Sequence, residues 1–178
     1  MEFGDRSRFA ITLELDSDHG GFWLFGCICY WIAGEMVGRY DVGTSLRDVL
    51  FQMKYILGDR GQRICPLLLH LKKERVFALI LAVLDEASDE IYQYTATDFL
   101  PARFDVRIPV DVFDSWKIFL VEGRGEAKIL YKRIESSEVL ETILAVGEFD
   151  IIFNEACIYL ERLLNAEIAG GEEQQSRA

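Results

Sequence analysis

The chain has 178 residues, of which 51% are apolar and 12% aromatic, and its formal net charge is −11. This length and composition fit one globular domain with a substantial core, and they exclude a disordered chain. The acidic balance argues against nucleic acid and anionic membranes as partners, because like charges repel, and it favours a basic protein. Acidic side chains that only keep a small protein in solution are the alternative.

The chain is expected to be cytoplasmic. Its N-terminus, MEFGDRSRF, is charged and lacks the apolar region of a signal peptide. No apolar run reaches the ~18 residues that a membrane helix needs. The cysteines lack the short C-x2-C spacing of a zinc site, so we expect them to be reduced and buried. They are Cys27, Cys29, Cys65 and Cys157.

The first elements predict a β-hairpin. Residues 8–15 (RFAITLEL) alternate apolar and polar side chains, as a strand with one buried face does. The turn-rich DSDHGG then leads into residues 22–32 (FWLFGCICYWI), which carry no charge and are apolar on both faces. We therefore predict a central strand that is covered on both sides, with Trp23 and Trp31 in the core. A short strand is expected next, over residues 36–40.

Two helices and a loop are predicted after that strand. Thr44 or Ser45 can cap the first helix, whose apolar residues repeat at helical spacing from Leu46 to Leu57. The apolar block at 76–84 is rich in Ala and Leu, which favours a buried second helix. Residues 85–101 are polar, acidic and weakly periodic, and they predict a long loop of the kind that often carries function.

The second half predicts a meander followed by a helix. Its strands are expected at 102–108, 116–121, 127–132 and 138–146. An amphipathic helical pattern follows over residues 148–164, and the acidic tail at 169–178 is expected to be disordered because it has nothing to bury. The sum is a single α+β domain over residues 1–168, mainly antiparallel β-sheet with about three packed α-helices.

Catalytic motifs are scarce in the chain. Neither of the two histidines lies in a recognisable motif, and there is no nucleophile elbow or zinc-protease motif. The Asp16-x-Asp18 pair lacks the later ligands of a calcium loop. We therefore expect no cofactor, no metal site and no enzymatic activity. A small hydrolase or ligand-binding enzyme with an unrecognised site stays open as the alternative, and an assembly protein that pairs through an aromatic sheet face is a third option.

Several segments, in order, carry a family resemblance. They are FAITLELDSDHGGFWLFGCICYWIAG, VGRYDVGTSLRDVLFQMKYILGDRG, PARFDVRIPVDVFDSWKIFLVEG with AKILYKR, and GEFDIIFNEACIYLERL. Together they span residues 9–164 and resemble the immunity protein family 42 of bacterial polymorphic toxin systems. The resemblance implies a small cytoplasmic protein, made beside a toxin, that binds and neutralises the toxin domain in the producing cell. The resembling segments are mostly core residues, so no functional residue is carried over from the family.

Charge and aromatic content nominate a contact surface for such a toxin. Residues 76–102 contain five acidic residues and no basic residue. Within that stretch lie the first candidates: Asp85, Glu86, Asp89, Glu90, Tyr92, Tyr94 and Asp98. The second candidates are Asp111, Asp114 and Glu122. The carboxylates would attract a basic toxin domain, and tyrosines would add contacts that charge alone does not supply. A solvated loop without a partner is the alternative.

The charge also bears on the class of toxin. Many antibacterial toxin domains attack nucleic acid and are basic, so a nuclease fits an acidic inhibitor that blocks the substrate groove. An acidic inhibitor of another toxin class stays open, and so does the oligomeric state of the chain.

Overall fold

The computed structural model of the chain describes residues 1–96 and 98–175. The chain is divided into two compact units. Unit 1 comprises Met1–Leu57, Ile108–Asp114 and the chain from Asp150 onward, and unit 2 comprises Gly58–Arg107 and Ser115–Phe149. Antiparallel sheets and three helices of 12 residues or more confirm the predicted α+β class. The single domain ending at residue 168 stays a prediction.

Unit 1 contains a five-stranded antiparallel sheet. Its strands are β1 (Glu2–Asp5), β2 (Phe9–Leu15), β3 (Phe25–Ile32), β4 (Glu35–Val37) and β5 (Thr44–Ser45). The order is β1-β2-β3-β4, and β5 also pairs with β3. The predicted hairpin is confirmed, with Phe9 opposite Ile32 and Leu15 opposite Gly26. The sequence missed β1, because its EFGD residues lack apolar alternation and are mostly exposed.

Strand β3 is central, as predicted, but the prediction that both of its faces are buried is wrong. The inward residues are buried, whereas Phe25 at the start of the outward face is 43% exposed. The preceding 3₁₀ turn holds Phe22 at 48% and Trp23 at 41% exposure. Further along the outward face, Trp31 is half-buried, because the Arg6 guanidinium lies 4.1 Å from its ring centroid. The outward face is thus covered in part by the sheet's own side chains and is otherwise open to solvent.

The inward face of β3 packs around Tyr30, which is fully buried. Its ring centroid lies 5.5 Å from that of Phe9 on β2. It also lies 4.7 Å from the ring of Phe113 and 6.2 Å from the ring of Phe153. Aromatic pairs at these distances stabilise a core beyond the area they bury. Tyr30 therefore joins the sheet to two segments that come much later in the chain.

Two long helices belong mainly to unit 1. Helix α1 (Leu46–Gly58) buries the predicted apolar stripe, and Ser45 Oγ accepts a 3.3 Å hydrogen bond from the Asp48 backbone N–H, as a capping residue does. The last helix, Glu148–Gln175, runs past both the predicted helix end at Leu164 and the predicted start of the disordered tail at 169. Residues 176–178 of that predicted tail lie outside the described residues.

Unit 2 has its own three-stranded sheet and its own core. The last helix is called α4. In chain order, the elements that follow α1 and precede α4 are α2 (Pro66–Leu69), α3 (Lys73–Leu84), β6 (Trp116–Glu122), β7 (Ala127–Arg133) and β8 (Leu140–Leu144). The strands pair in the order β6-β7-β8, and they confirm the last three strands of the predicted meander. The rings of Phe77 on α3 and Phe119 on β6 meet at 4.9 Å in a cluster that also holds Leu130 and Val139.

The predicted strand at 102–108 is wrong. Residues Pro101–Phe104 form a 3₁₀ turn, which suits a proline because its φ is already fixed near the helical value. Beyond the turn, Asp105 makes only an isolated antiparallel bridge to Phe119, and the Val106 N–H donates to the Ile118 carbonyl. Alternate residues are buried as the pattern predicted, but the backbone joins β6 at too few points to form a strand.

Close packing at Gly26 yields a test of this sheet. A Cβ there would lie 2.2 Å from the Glu14 carbonyl oxygen and 2.8 Å from Leu46 Cδ1, so backbone must move to admit it. We expect Gly26→Ala to lower the free energy of unfolding by about 2 kcal/mol or more in urea denaturation.

Gly58→Ala is the matched control for that measurement, because a Cβ at Gly58 meets no heavy atom within 4 Å. It should leave stability unchanged or raise it slightly, since Ala is the better helix former. Equal stability of the two variants would contradict the close approach of β2 and β3 at Gly26.

Candidate protein-binding surface

The predicted acidic residues at 85–98 lie on one loop of unit 2, after α3. The loop is ordered by backbone hydrogen bonds: the N–H of Asp85 donates to Leu81 O and that of Ala87 to Ala82 O, at 2.9 and 2.8 Å. A 3₁₀ turn follows at Glu90–Gln93, and its Ile91 is fully buried in the unit 2 core. The loop is therefore anchored beneath its polar side chains, which limits the entropy lost when a partner binds.

Most of the loop's candidate contacts point to solvent. Asp85, Glu86, Asp89 and Asp98 are exposed. Tyr92 is 43% exposed, so its ring is available to a partner. We define these five residues as the acidic loop surface.

Two further loop candidates are engaged within the fold. Glu90 is half-buried and forms an ion pair with Arg75. Tyr94 is half-buried against the unit 2 core, and its carbonyl oxygen accepts a 3.1 Å hydrogen bond from Cys65 Sγ. Both residues support the loop from below, and they offer less to a partner than the acidic loop surface does.

The three residues of the second set of candidates differ in their exposure to solvent. Asp111 and Asp114 are exposed on the short segment of unit 1 that the chain inserts between the two parts of unit 2. Glu122, by contrast, is only 2% exposed, and its carboxylate accepts a 3.1 Å hydrogen bond from the Gly147 N–H. Glu122 therefore cannot reach a partner, and we remove it from the contact surface. An acidic residue at a strand end gave no signal that it would be buried.

Catalytic features are weak by comparison. One cleft of about 540 Å³ is lined by Pro66, Leu69, His70 and residues 123–126. Another, of about 380 Å³, is lined by Met1, Phe3, Glu155, Ile158, Tyr159 and Arg162. Neither cleft contains a cysteine, and no cluster of metal-ligating residues occurs among residues 1–96 and 98–175.

Burial makes all four cysteines poor nucleophiles. Burial raises the pKa of Cys27, Cys65 and Cys157, and it raises the pKa of Cys29 to about 11. Only the thiolate attacks or binds metal, so a raised pKa lowers reactivity at neutral pH. The four cysteines are free, and the prediction that they are buried holds for Cys29, Cys65 and Cys157, whereas Cys27 is half-buried.

Unit 1 also exposes a group of aromatic residues that the sequence pattern did not reveal. Phe22, Trp23 and Phe25, which we call the aromatic cluster, lie within four positions of each other at the entry to β3. The rings of Phe22 and Trp23 are 5.0 Å apart, and those of Trp23 and Phe25 are nearly parallel at 6.4 Å. The Arg47 guanidinium lies 3.8 Å from the Trp23 ring centroid. The Gly20–Gly21 pair that precedes these residues could have indicated that the strand begins later than Phe22, because glycines often interrupt or end a strand.

Comparisons with known proteins agree with this architecture. The family model described as Immunity protein 42 matches residues 1–159 of the chain. The fold is similar to that in the crystal structure of CdiI from Burkholderia dolosa AUO158, with a TM-score of 0.68 and 21% sequence identity. That similarity covers 89% of this chain and 99% of the other. No curated protein matches the chain. No helix in the described part of the chain has both the length and the apolar character that a membrane span requires.

Asp105 provides a test of the electrostatics of unit 2. Burial raises the pKa of this carboxyl group, against the opposing effects of a hydrogen bond from the Arg107 N–H and the charges of Arg107 and Lys117. A raised pKa in the folded state means that the ionised carboxylate destabilises the fold. Stability therefore falls as the pH rises above the pKa that Asp105 has in the unfolded chain. We expect Asp105→Asn to raise the melting temperature at pH 7, with a smaller gain near pH 4.

The control for Asp105→Asn is Glu138→Gln, which removes one negative charge from an exposed position. Its melting temperature should follow that of the unchanged chain at both pH values. A destabilised Asp105→Asn variant at pH 7 would mean that the Arg107 N–H and the charges of Arg107 and Lys117 outweigh the burial of Asp105.

Proposed function

Because the chain belongs to the immunity protein 42 family, we propose that it binds and neutralises a cognate antibacterial toxin domain in the cytoplasm of the producing cell. The observation that carries this proposal is the family match over residues 1–159, nearly the whole of the described fold. The chain acts as a binding inhibitor, and its own groups perform no chemistry. The raised cysteine pKa values support a role without a nucleophile.

The acidic loop surface is the proposed site of first contact. Its four carboxylates stand in a stretch of the chain, 76–102, that contains no basic residue, and the whole chain carries a net charge of −11. A field of one sign accelerates the encounter with an oppositely charged protein, over distances of about one Debye length, ~8 Å in physiological salt. Tyr92 then gives the loop an aromatic contact at short range. The proposed toxin domain is therefore basic.

A nuclease fits this charge best among toxin classes. A groove that binds the phosphate backbone is lined by Lys and Arg, and its affinity for nucleic acid comes largely from those charges. An acidic loop in such a groove would pair with the same side chains and exclude the substrate. Inhibition would then be competitive with nucleic acid and would weaken as salt rises.

Co-expression tests the neutralising function directly. The probe is the variable C-terminal domain encoded by the gene immediately upstream, expressed in a sensitive host with and without the chain. We expect the domain to stop growth alone and the chain to restore it. Growth arrest that persists at matched expression, together with no complex in pull-down, would overturn the proposal.

Charge reversal tests the acidic loop surface. We expect Asp85→Lys with Asp89→Lys to slow association with that domain about tenfold at low ionic strength, because steering is lost. The difference should shrink in high salt, where screening already removes the steering. Surface plasmon resonance at several salt concentrations gives the two rate constants. Glu90 is left unchanged in this variant, because its ion pair with Arg75 supports the loop.

The matched control for that variant is Glu135→Lys with Glu138→Lys, which changes the net charge equally at two exposed positions before β8. If the association rate constant fell by the same factor in both variants, the effect would come from net charge alone. Unchanged association by the loop variant would remove residues 85–98 from the contact surface and leave the immunity function standing.

A further inference from the structure

The aromatic cluster of Phe22, Trp23 and Phe25 is an exposed apolar feature without a role in the core. Each of its rings is between 41% and 48% exposed, although the fold gains nothing by showing three large rings to water. We propose that the cluster is the anchor at which basic side chains of the toxin domain bind. This inference rests on the proposed function, and it names the contact and the chemistry of the partner.

The backbone holds the cluster in one conformation. Leu24 has φ +53°, a left-handed value that is costly for a bulky side chain, and its own side chain is fully buried. The Trp23 carbonyl accepts a 3.1 Å hydrogen bond from Ser45 Oγ, and the Phe25 N–H donates to His19 O at 2.8 Å. Strained positions persist only where the surroundings enforce them. The rings are thus presented by a rigid turn, which lowers the entropy cost of binding.

The composition of the cluster is that of a binding hot spot. Trp and Arg are among the residue types that dominate the energetics of protein interfaces. Here Arg47 lies 3.8 Å from the Trp23 ring centroid and 5.2 Å from that of Phe22, and it also forms an ion pair with Asp48 at 3.0 Å. Arg47 is therefore already satisfied within the chain. It orders the rings, and Asp48 balances its charge.

Carboxylates surround the cluster, and they define the charge of its partner. Asp16 lies directly opposite Phe25, since its N–H donates to the Phe25 carbonyl at 3.0 Å. Glu167 lies beside the turn, where its Oε2 would be 3.9 Å from a Cβ on Gly21. The negative charges of Asp16, Glu14 and Asp41 also add to burial in raising the pKa of Cys27, two residues after Phe25. Of these carboxylates, Glu167 is hydrogen-bonded to His19 and Glu14 to the Tyr40 hydroxyl. Asp16 and Asp41 are exposed and give the rim its acidic character.

An aromatic centre with an acidic rim complements Lys and Arg side chains. The exposed ring surface that Arg47 does not cover offers contact to a cation and to its methylene stem, and the carboxylates offer ion pairs. A second copy of the chain fits poorly, because it would bring an equally acidic rim against this one. A basic surface of the toxin domain satisfies both features at once.

The test is Trp23→Ala, measured for binding to the C-terminal domain encoded by the gene immediately upstream. We expect its dissociation constant to rise about 30-fold, mainly through faster dissociation, as removal of a hot-spot ring does. Ile143→Ala is the control, because it also removes exposed apolar surface, on β8 of unit 2, and it should bind unchanged. Phe22→Ser is a second variant, in a turn residue that is 48% exposed, and it keeps the test valid should Trp23→Ala unfold.

Charge variants test the chemistry assigned to the partner. Asp16→Asn with Asp41→Asn should weaken binding several-fold at low salt and little at high salt, if basic side chains meet the rim. Weaker binding by the Trp23 variant, without any salt-dependent effect of the Asp variant, would overturn the assignment of a basic partner.

Three other outcomes separate the failure of this inference from the failure of the proposed function. If the unchanged chain binds the domain and both ring variants bind equally well, the cluster is not the anchor, and the immunity function stands. If size-exclusion chromatography shows that the ring variants alter self-association and not toxin affinity, the cluster is a self-contact, and the inference is overturned. If the unchanged chain does not bind the domain at all, both proposals fall together.

Discussion

The ring of Tyr30 is the contact on which unit 1 depends. It is fully buried on the inward face of β3 and meets rings from three other segments, at Phe9, Phe113 and Phe153. Burial of one such side chain contributes roughly 2–3 kcal/mol, and edge-to-face pairs add to this. Its ring contacts join the hairpin to the 108–114 segment and to α4. The outward face of the same strand is only partly covered, and at its start the exposed rings of the aromatic cluster lie beside Arg47.

The two proposed contact surfaces act over different distances. The acidic loop surface works through charge, which extends several ångströms into solution and is weakened by salt. The aromatic cluster works through close contact, in which exposed rings exclude water and bind a cation at van der Waals distance. If both proposals hold, the acidic loop surface sets the rate of association and the aromatic cluster sets the rate of dissociation. The two surfaces belong to different units, so separate variants can measure each contribution.

Periodicity predicted most of the fold. The stripe of α1, the hairpin of β2 and β3, and the strands β6, β7 and β8 all follow from apolar spacing and turn residues. The segment at 102–108 shows where this reasoning fails, because alternate burial there arises in an irregular chain that touches β6 at one bridge. Spacing reports which side chains are buried, whereas a strand also needs partners for its backbone. Likewise, an uncharged run predicted burial of Trp23, yet exposure depends on whether another element covers that face. Glu122 is the converse case, a charged residue enclosed by the Ile64 bridge and the Gly147 N–H.

Unit 1 is built from three separate stretches of the chain, and this affects how it folds during translation. Phe153 follows Tyr30 by 123 residues, and unit 2 is translated almost entirely between them. At bacterial-type elongation rates of about 5–20 residues per second, the hairpin waits on the order of 6–25 s for the helix that covers it. During that interval the inward face of β3 lacks its contact with Phe153, whereas unit 2 has all its own strands by residue 149. The order of translation therefore makes docking of α4 the step that completes the protein, and a chain that ends before it would lack the ring that closes the core around Tyr30.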